Sequence, residues 1–314
     1  MTVGIALTNG LEAIIITDSR ASGFGRESDS IRKMGEFLND NYFGVIFGTG
    51  DADSILGIIK NLALITEEDL DRYVLTLQSI YKNNFDKEKN QYFASIKDQI
   101  NQKASLIENA EEKEHYVRKE INKIIESYEQ SKRQEGFLAI LAYDKQKKKI
   151  RKHTISSSYV HENYSDHIEI GSGSDGANLY LSNKLQGVEA SKLKINDLLF
   201  FALNSYSSST VNIGVGGTPI IARVSEEGCD FLSAENINTI GNVSGAYLSE
   251  YPNSHLNFNS TRKILNDIMN GNNLDFIKIA KNIGLNEQTL KNTYIPYKSW
   301  QETANRMHFN NIKK

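Results

Sequence analysis

The chain has 314 residues, 39% of them apolar, and carries 36 Lys plus Arg against 39 Asp plus Glu, a net charge of -3. This is the composition of a globular protein with one large domain or two smaller ones, and the charge balance excludes attachment to nucleic acid by bulk charge alone. The single Cys229 excludes a disulfide framework or a multi-cysteine zinc site, the six His form no HExxH motif, no apolar run approaches the roughly 20 residues of a membrane span, and no signal-peptide pattern opens the chain; a cytoplasmic protein with no metal, cofactor or membrane insertion is expected.

Residues 3–7 and 13–16 are β-branched or aliphatic runs around Asn9-Gly10, the signal of a hairpin with a two-residue turn. Residues 33–38 and 42–47 read as a second strand pair, and Gly48-Thr49-Gly50 then opens a helical stretch. No Gly or Pro lies between Lys60 and Glu135, and residues 66–135 hold 27 charged positions in 70. Ile96 and Ile100, then Val117, Ile121, Ile124 and Tyr128, recur at helical spacing. The pattern predicts a helical hairpin with one packed stripe; an amphipathic antiparallel pair and a partner-binding arm are both compatible with it.

Strands return at residues 137–143 and 150–155 around a Lys-rich tip, and Ile168-Glu169-Ile170 runs into Gly171-Ser172-Gly173-Ser174 and a helix from about Asp175. A further helix is expected over 195–205, and a last hairpin over 219–224 and 229–232. Hairpins separated by helix pairs predict stacked antiparallel sheets covered by helices. From about Ala234 the chain reads as Asn-rich and irregular to Phe258, then helical and mildly basic, a small C-terminal domain over 234–314.

Gly171 to Gly176 fit GxGxxG, either a dinucleotide fingerprint or a glycine-rich turn for close packing; the surrounding hairpin order and the lack of a following acid weigh against the former. Residues 274–292, with Ala280, Gly284 and Leu290, have helix-turn-helix spacing, compatible with DNA binding or with plain packing. With Lys291 as the lone cation near Asn286 to Asn292, nucleic acid is disfavoured as a partner.

Thr2 follows Met1, whose removal exposes a threonine with a free α-amine. Asp18, Ser19 and Arg20 lie just past the second strand, and Lys33 starts the third, so sheet geometry can bring Thr2, Asp18 and Lys33 to one edge. There an α-amine activates the hydroxyl, Lys33 tunes it and Asp18 orients Lys33. An Asp18–Arg20 turn ion pair with Lys33 as a surface cation is the plainer alternative.

The runs Thr2-Val3-Gly4-Ile5-Ala6, Thr17-Asp18-Ser19-Arg20-Ala21 and Arg32-Lys33-Met34 resemble the N-terminal region of proteasome β subunits. Phe47-Gly48-Thr49-Gly50, Leu141-Ala142-Tyr143-Asp144 and Ile170-Gly171-Ser172-Gly173-Ser174 follow in that family's order. The resemblance covers residues 2–232 and implies an α+β, four-layer αββα sandwich of the N-terminal-nucleophile hydrolase type, spanning 1–233 with a helical insertion at about 60–135. It implies Thr2 as nucleophile, Asp18 and Lys33 as tuning groups, the Gly48 N–H as oxyanion donor, Ser172 beside the terminal amine, Arg20 in support, and Ile46, Thr49 and the 214–217 loop, Gly216 included, as substrate walls. The family's late Asp is missing; Ser207, Ser208 and Thr210 stand in that region as substitutes. The insertion and C-terminal extension would obstruct a stacked ring, so a monomer is expected. The layout as a whole resembles the connectases, proteasome-related protein ligases of methanogens. That likeness implies transpeptidation of a protein or peptide bearing Lys-Asp-Pro-Gly-Ala, as in a methyltransferase subunit.

Overall fold

The computed structural model describes residues 2–19, 21–23, 26–28, 33–50, 52–131, 136–211, 215–216, 218–248, 251 and 253–296. The strands are β1 (Val3–Thr8), β2 (Ala13–Thr17), β3 (Ala21–Gly23), β4 (Arg26–Ser28), β5 (Met34–Leu38), β6 (Tyr42–Gly48), β7 (Leu138–Asp144), β8 (Lys149–Ile155), β9 (Val160–Glu162), β10 (His167–Gly171), β11 (Ile220–Ser225) and β12 (Gly228–Phe231). The helices are α1 (Ala52–Asn61), α2 (Leu70–Ala104), α3 (Ala110–Ser131), α4 (Ser174–Lys184), α5 (Ile195–Ser209), α6 (Ala234–Tyr247), α7 (Phe258–Met269), α8 (Phe276–Ile283) and α9 (Glu287–Asn292).

Two five-stranded antiparallel sheets form, in the orders β10-β1-β2-β11-β12 and β5-β6-β7-β8-β9, with β3-β4 a separate ribbon. Their strands read as unbroken apolar runs because both faces are covered. Val3, Ile5, Leu7, Ile14 and Ile16 join one cluster with α4 and α5, whereas Ala6, Ala13 and Ile15 meet Phe43, Val45 and Phe47 of the other sheet. Alternation at period two thus divides each strand between two cores. Tyr42 and Ile46, on the remaining face, pack with Ile58, Leu70, Tyr73 and Leu77 of α1 and α2. Gly4 is small because Phe47 lies over it: a Cβ there would stand 2.5 Å from the ring.

The first hairpin differs from its expected turn. Thr8 pairs with Ala13, leaving a four-residue loop in which the Asn9 Oδ1 accepts the N–H groups of Leu11 and Glu12 while Gly10 takes φ 92°. The Asn side chain closes the turn in place of a two-residue backbone turn.

The insertion is a helical hairpin. Among the described residues, α2 is anchored to a sheet through its first third, by Leu70, Tyr73, Val74, Leu77 and Tyr81. At 35 residues α2 is about 50 Å long, and beyond Tyr81 the fully buried side chains among its described residues are Ile100 and Ala104. Asp69 caps α2 and Asn109 accepts the first N–H groups of α3.

Sequence reading missed α6 by taking its Asn-rich stretch for irregular chain. Its Ser233 N-cap accepts the Asn236 N–H, and Ile237, Ile240 and Val243 form the buried stripe. The apolar faces of α6 to α9 and of α5 belong to one continuous cluster, so these helices lie against the first sheet's helical cover. In α8 and α9, Ala280, Ile283 and Leu290 point into that cluster, Gly284 ends α8 in the left-handed region, and Lys291 pairs with Glu287.

Candidate active site

Thr2 immediately precedes β1, Asp18 immediately follows β2, and Gly4 pairs with Thr17. One step beyond that register, Asp18 accepts the Val3 N–H on Oδ1 (3.0 Å) while its own N–H donates to the Val3 carbonyl (3.2 Å). Lys33 immediately precedes β5 in the facing sheet. Its Nζ donates to Thr2 Oγ1 at 2.7 Å and lies 3.1 Å from Asp18 Oδ1. Thr2, Asp18 and Lys33 are 5%, 0% and 2% exposed. The two sheets therefore meet here through a buried hydroxyl–amine–carboxylate line.

Burial lowers the Lys33 pKa below the ordinary lysine value, against the opposing attraction of Asp18. Burial also raises that of Asp18, against the pull of Lys33, the Val3 N–H and the Gly216 backbone. Desolvation penalises both charges and moves the pair toward its neutral forms. An amine with a depressed pKa holds its proton less firmly, and at 2.7 Å from a hydroxyl it has the geometry to exchange a proton with it.

Gly171 and Gly173 bring the fourth element to this edge. Gly171 (φ 97°) admits no side chain: a Cβ would lie 2.2 Å from the Thr2 carbonyl oxygen and 2.9 Å from the Thr49 methyl. The turn accordingly serves close packing. The Thr2 N–H donates to Ser172 Oγ (3.1 Å), and the Thr2 carbonyl accepts the Gly173 N–H (3.3 Å). That nitrogen is a peptide nitrogen while Met1 is attached and stands where the freed amine would be. The Gly173 N–H went unnoticed in the sequence; its signal was the second glycine of a Gly-x-Gly turn following a strand.

Other expected positions are placed differently. The Gly48 N–H donates to the Lys33 carbonyl (3.1 Å) as the last rung between β5 and β6, so it is not free to receive an oxyanion in this arrangement. Ile46 is fully buried against α1 and α2, because its place on β6 turns it away from the facing sheet. Thr49 is buried at the edge, its Oγ1 accepting the Phe137 N–H. Gly216 presents its backbone to Asp18, which makes it a support of the carboxylate. The hydroxyls of Ser208 and Thr210 return to carbonyls of α5, at Asn204 and Ser207, and Ser207 is exposed. Ser209 was passed over, yet it is buried with its Cβ 3.3 Å from where a Gly173 Cβ would stand. Its Oγ donates to Tyr206. Arg20, Gly214 and Gly217 lie outside the described residues. Among the described residues no cluster of His, Cys, Asp and Glu could hold a metal, and no helix is long and apolar enough to cross a membrane.

Thr2, Asp18 and Lys33 thus meet at the common edge of a fold built on paired antiparallel sheets. Solved structures that share it include Anbu (ancestral beta-subunit) from Yersinia bercovieri, at 13% identity over 74% of this chain and 87% of that one, TM-score 0.51. The Gly-1 mutant of Anbu from Hyphomicrobium sp. strain MC1 matches at 13% identity over 80% and 94%, TM-score 0.50. No protein-family model matches the chain, and no curated protein does.

Proposed function

We propose that this chain is an N-terminal-threonine transpeptidase on a four-layer αββα frame, working as a cytoplasmic monomer without a cofactor. Removal of Met1 frees the Thr2 amine. The Thr2 hydroxyl attacks a peptide carbonyl carbon as its proton passes to Lys33 or the amine, and collapse expels the leaving amine, which takes up that proton. The acyl group rests on Thr2 Oγ as an ester, or shifts to the α-amine as an amide that water attacks slowly. A second amine then takes the acyl group. The observation that carries the reading is the 2.7 Å contact from Lys33 Nζ to Thr2 Oγ1, with Asp18 behind it. The preference for an incoming amine over water, and for Lys-Asp-Pro-Gly-Ala in a substrate such as a methyltransferase subunit, rests on the connectase resemblance.

Intact mass before and after mixing with a Lys-Asp-Pro-Gly-Ala peptide tests the proposal. Loss of Met1 and a stable adduct equal to the N-terminal half of the peptide are expected, with no adduct on a folded Thr2→Ala variant. Cleavage without adduct or exchange points to a threonine peptidase. Retained Met1 with no chemistry leaves a proteasome-like scaffold. Sedimentation as a ring would overturn the monomer.

A further inference from the structure

The insertion passes close to Thr2 where Tyr81 of α2 meets Gly136. Tyr81 of α2 donates its hydroxyl to the Gly136 carbonyl at 2.6 Å. Gly136 packs so tightly on the Thr49–Gly50 turn that a Cβ would stand 2.0 Å from the Thr49 carbonyl oxygen. The Thr49 methyl in turn lies against Gly171, which abuts the Thr2 carbonyl. Within one helical turn of Tyr81, a cavity of about 520 Å³ opens between α2 and the β8–β9 loop. Gln78, Lys82, Phe85 and Asp86 form one wall, and Ser157 and Ser158 the other.

We infer that this cavity is a subsite for the peptide chain running away from the scissile bond; the inference rests on the reading that Thr2 acts on a peptide. The β8–β9 loop follows the end of β8, on the same sheet edge as Lys33 before β5 and three strands away. Three inter-strand spacings are about 14 Å, the span of four or five extended residues. The lining fits peptide. The Ser157, Ser158 and Gln78 side chains carry donors and acceptors for amide groups, and the half-buried Phe85 covers an aliphatic stem. Lys82 and Asp86, one turn apart, present both signs of charge to polar side chains. The substrate class is thus a polypeptide recognised well beyond the bond that reacts, with the helical insertion supplying part of that recognition.

The test uses the full chain and three peptides: capped Lys-Asp-Pro-Gly-Ala, and the same core extended by eight Ser, Gln, Lys and Glu residues on either its N-terminal or its C-terminal side. Rates of Thr2 acylation are followed by mass. One extended peptide is expected to have a KM about tenfold below the core. In Ser158→Trp, which fills the cavity from an exposed position, and in Lys82→Glu with Asp86→Lys, that ratio falls to about one. Equal KM for all three peptides, or a ratio that survives both variants, would overturn the subsite. If no peptide acylates the wild type while Met1 is removed, the transpeptidase reading itself fails, and the subsite with it.

Discussion

Two buried cations in the same sheet meet opposite fates. Lys33, before β5, is 2% exposed and faces the Asp18 carboxylate and the Thr2 hydroxyl. Arg151, on β8, is 5% exposed and is ringed by Asp71 (2.6 Å), Glu162 (2.8 Å) and Asp144 (3.7 Å). At Lys33 burial outweighs the carboxylate and the pKa falls. At Arg151 the carboxylates outweigh burial and the charge is held more firmly than on a free arginine. Burial alone does not create a base. What matters is whether a titratable amine receives less compensation than its desolvation demands; a surrounded guanidinium is a permanent clamp, here tying the root of α2 to the sheet.

Exchanging the cations should expose this difference. Lys33→Arg installs a permanent positive charge and removes the amine that can take a proton, and the acylation rate of Thr2 should fall about 10²–10⁴-fold. A folded variant within about tenfold of the wild type would assign the whole of proton acceptance to the terminal amine. The pH profile sharpens the point. In the proposed mechanism Lys33 works in its neutral form, so activity is expected to fall on acidification. Asp18→Asn removes the attraction that raises the Lys33 pKa, so the acid limb should move to lower pH; a limb that stays in place would detach it from Lys33.

The clamp has a pH signature of its own. His153, next to Arg151 on β8 and 3% exposed, has its pKa pushed down to about 4 by burial and then by the guanidinium. The ordinary value is 6.5, so between these two pH values the unfolded chain binds a proton that the folded chain refuses. Stability should therefore fall as pH drops from about 6.5 to 4, by about 3 kcal/mol in all. His153→Gln should flatten urea-melt stability across that window. An unchanged slope would mean that other groups cause it. Glu162, held at about 2 chiefly by its hydrogen bond from Arg151, acts lower, with stability lost as pH falls from about 4.5 toward 2.

Much of this was legible in the sequence where local rules decide. Residues 3–8, 13–17 and 42–48 are strands because β-branched and aromatic runs end at turn residues, and once the sheet is antiparallel, Thr2 and Asp18 must share an edge. Lys33 is expected at that edge as the start of a neighbouring strand, yet it arrives from the facing sheet, a relation that no local pattern encodes. Ile46 packs against α1 and α2, which the sequence does not tell because alternation says which residues share a face but not which layer that face meets. The Gly48 N–H meets the Lys33 carbonyl because hydrogen-bond partners depend on the last rung of a ladder, which no local pattern gives. The α6 helix was lost because its Asn residues weaken the helical signal, while tertiary burial of Ile237, Ile240 and Val243 restores it.

The smallest effect is the return exchange. Arg151→Lys keeps the charge and much of the length but loses the planar fork, in which Nε serves Glu162 and Nη2 serves Asp71. One ammonium cannot hold both carboxylates in those directions, yet Asp71 and Glu162 are 57% and 31% exposed and recover water. The expected loss is about 1–2 kcal/mol, below the cost of breaking a fully buried pair. It should appear in urea melts at pH 7, with the rate of Thr2 acylation unaltered. A comparable fall in rate instead would show that the root of α2 reaches the catalytic edge through the Tyr81–Gly136–Thr49 contacts, and the two cations would no longer be independent.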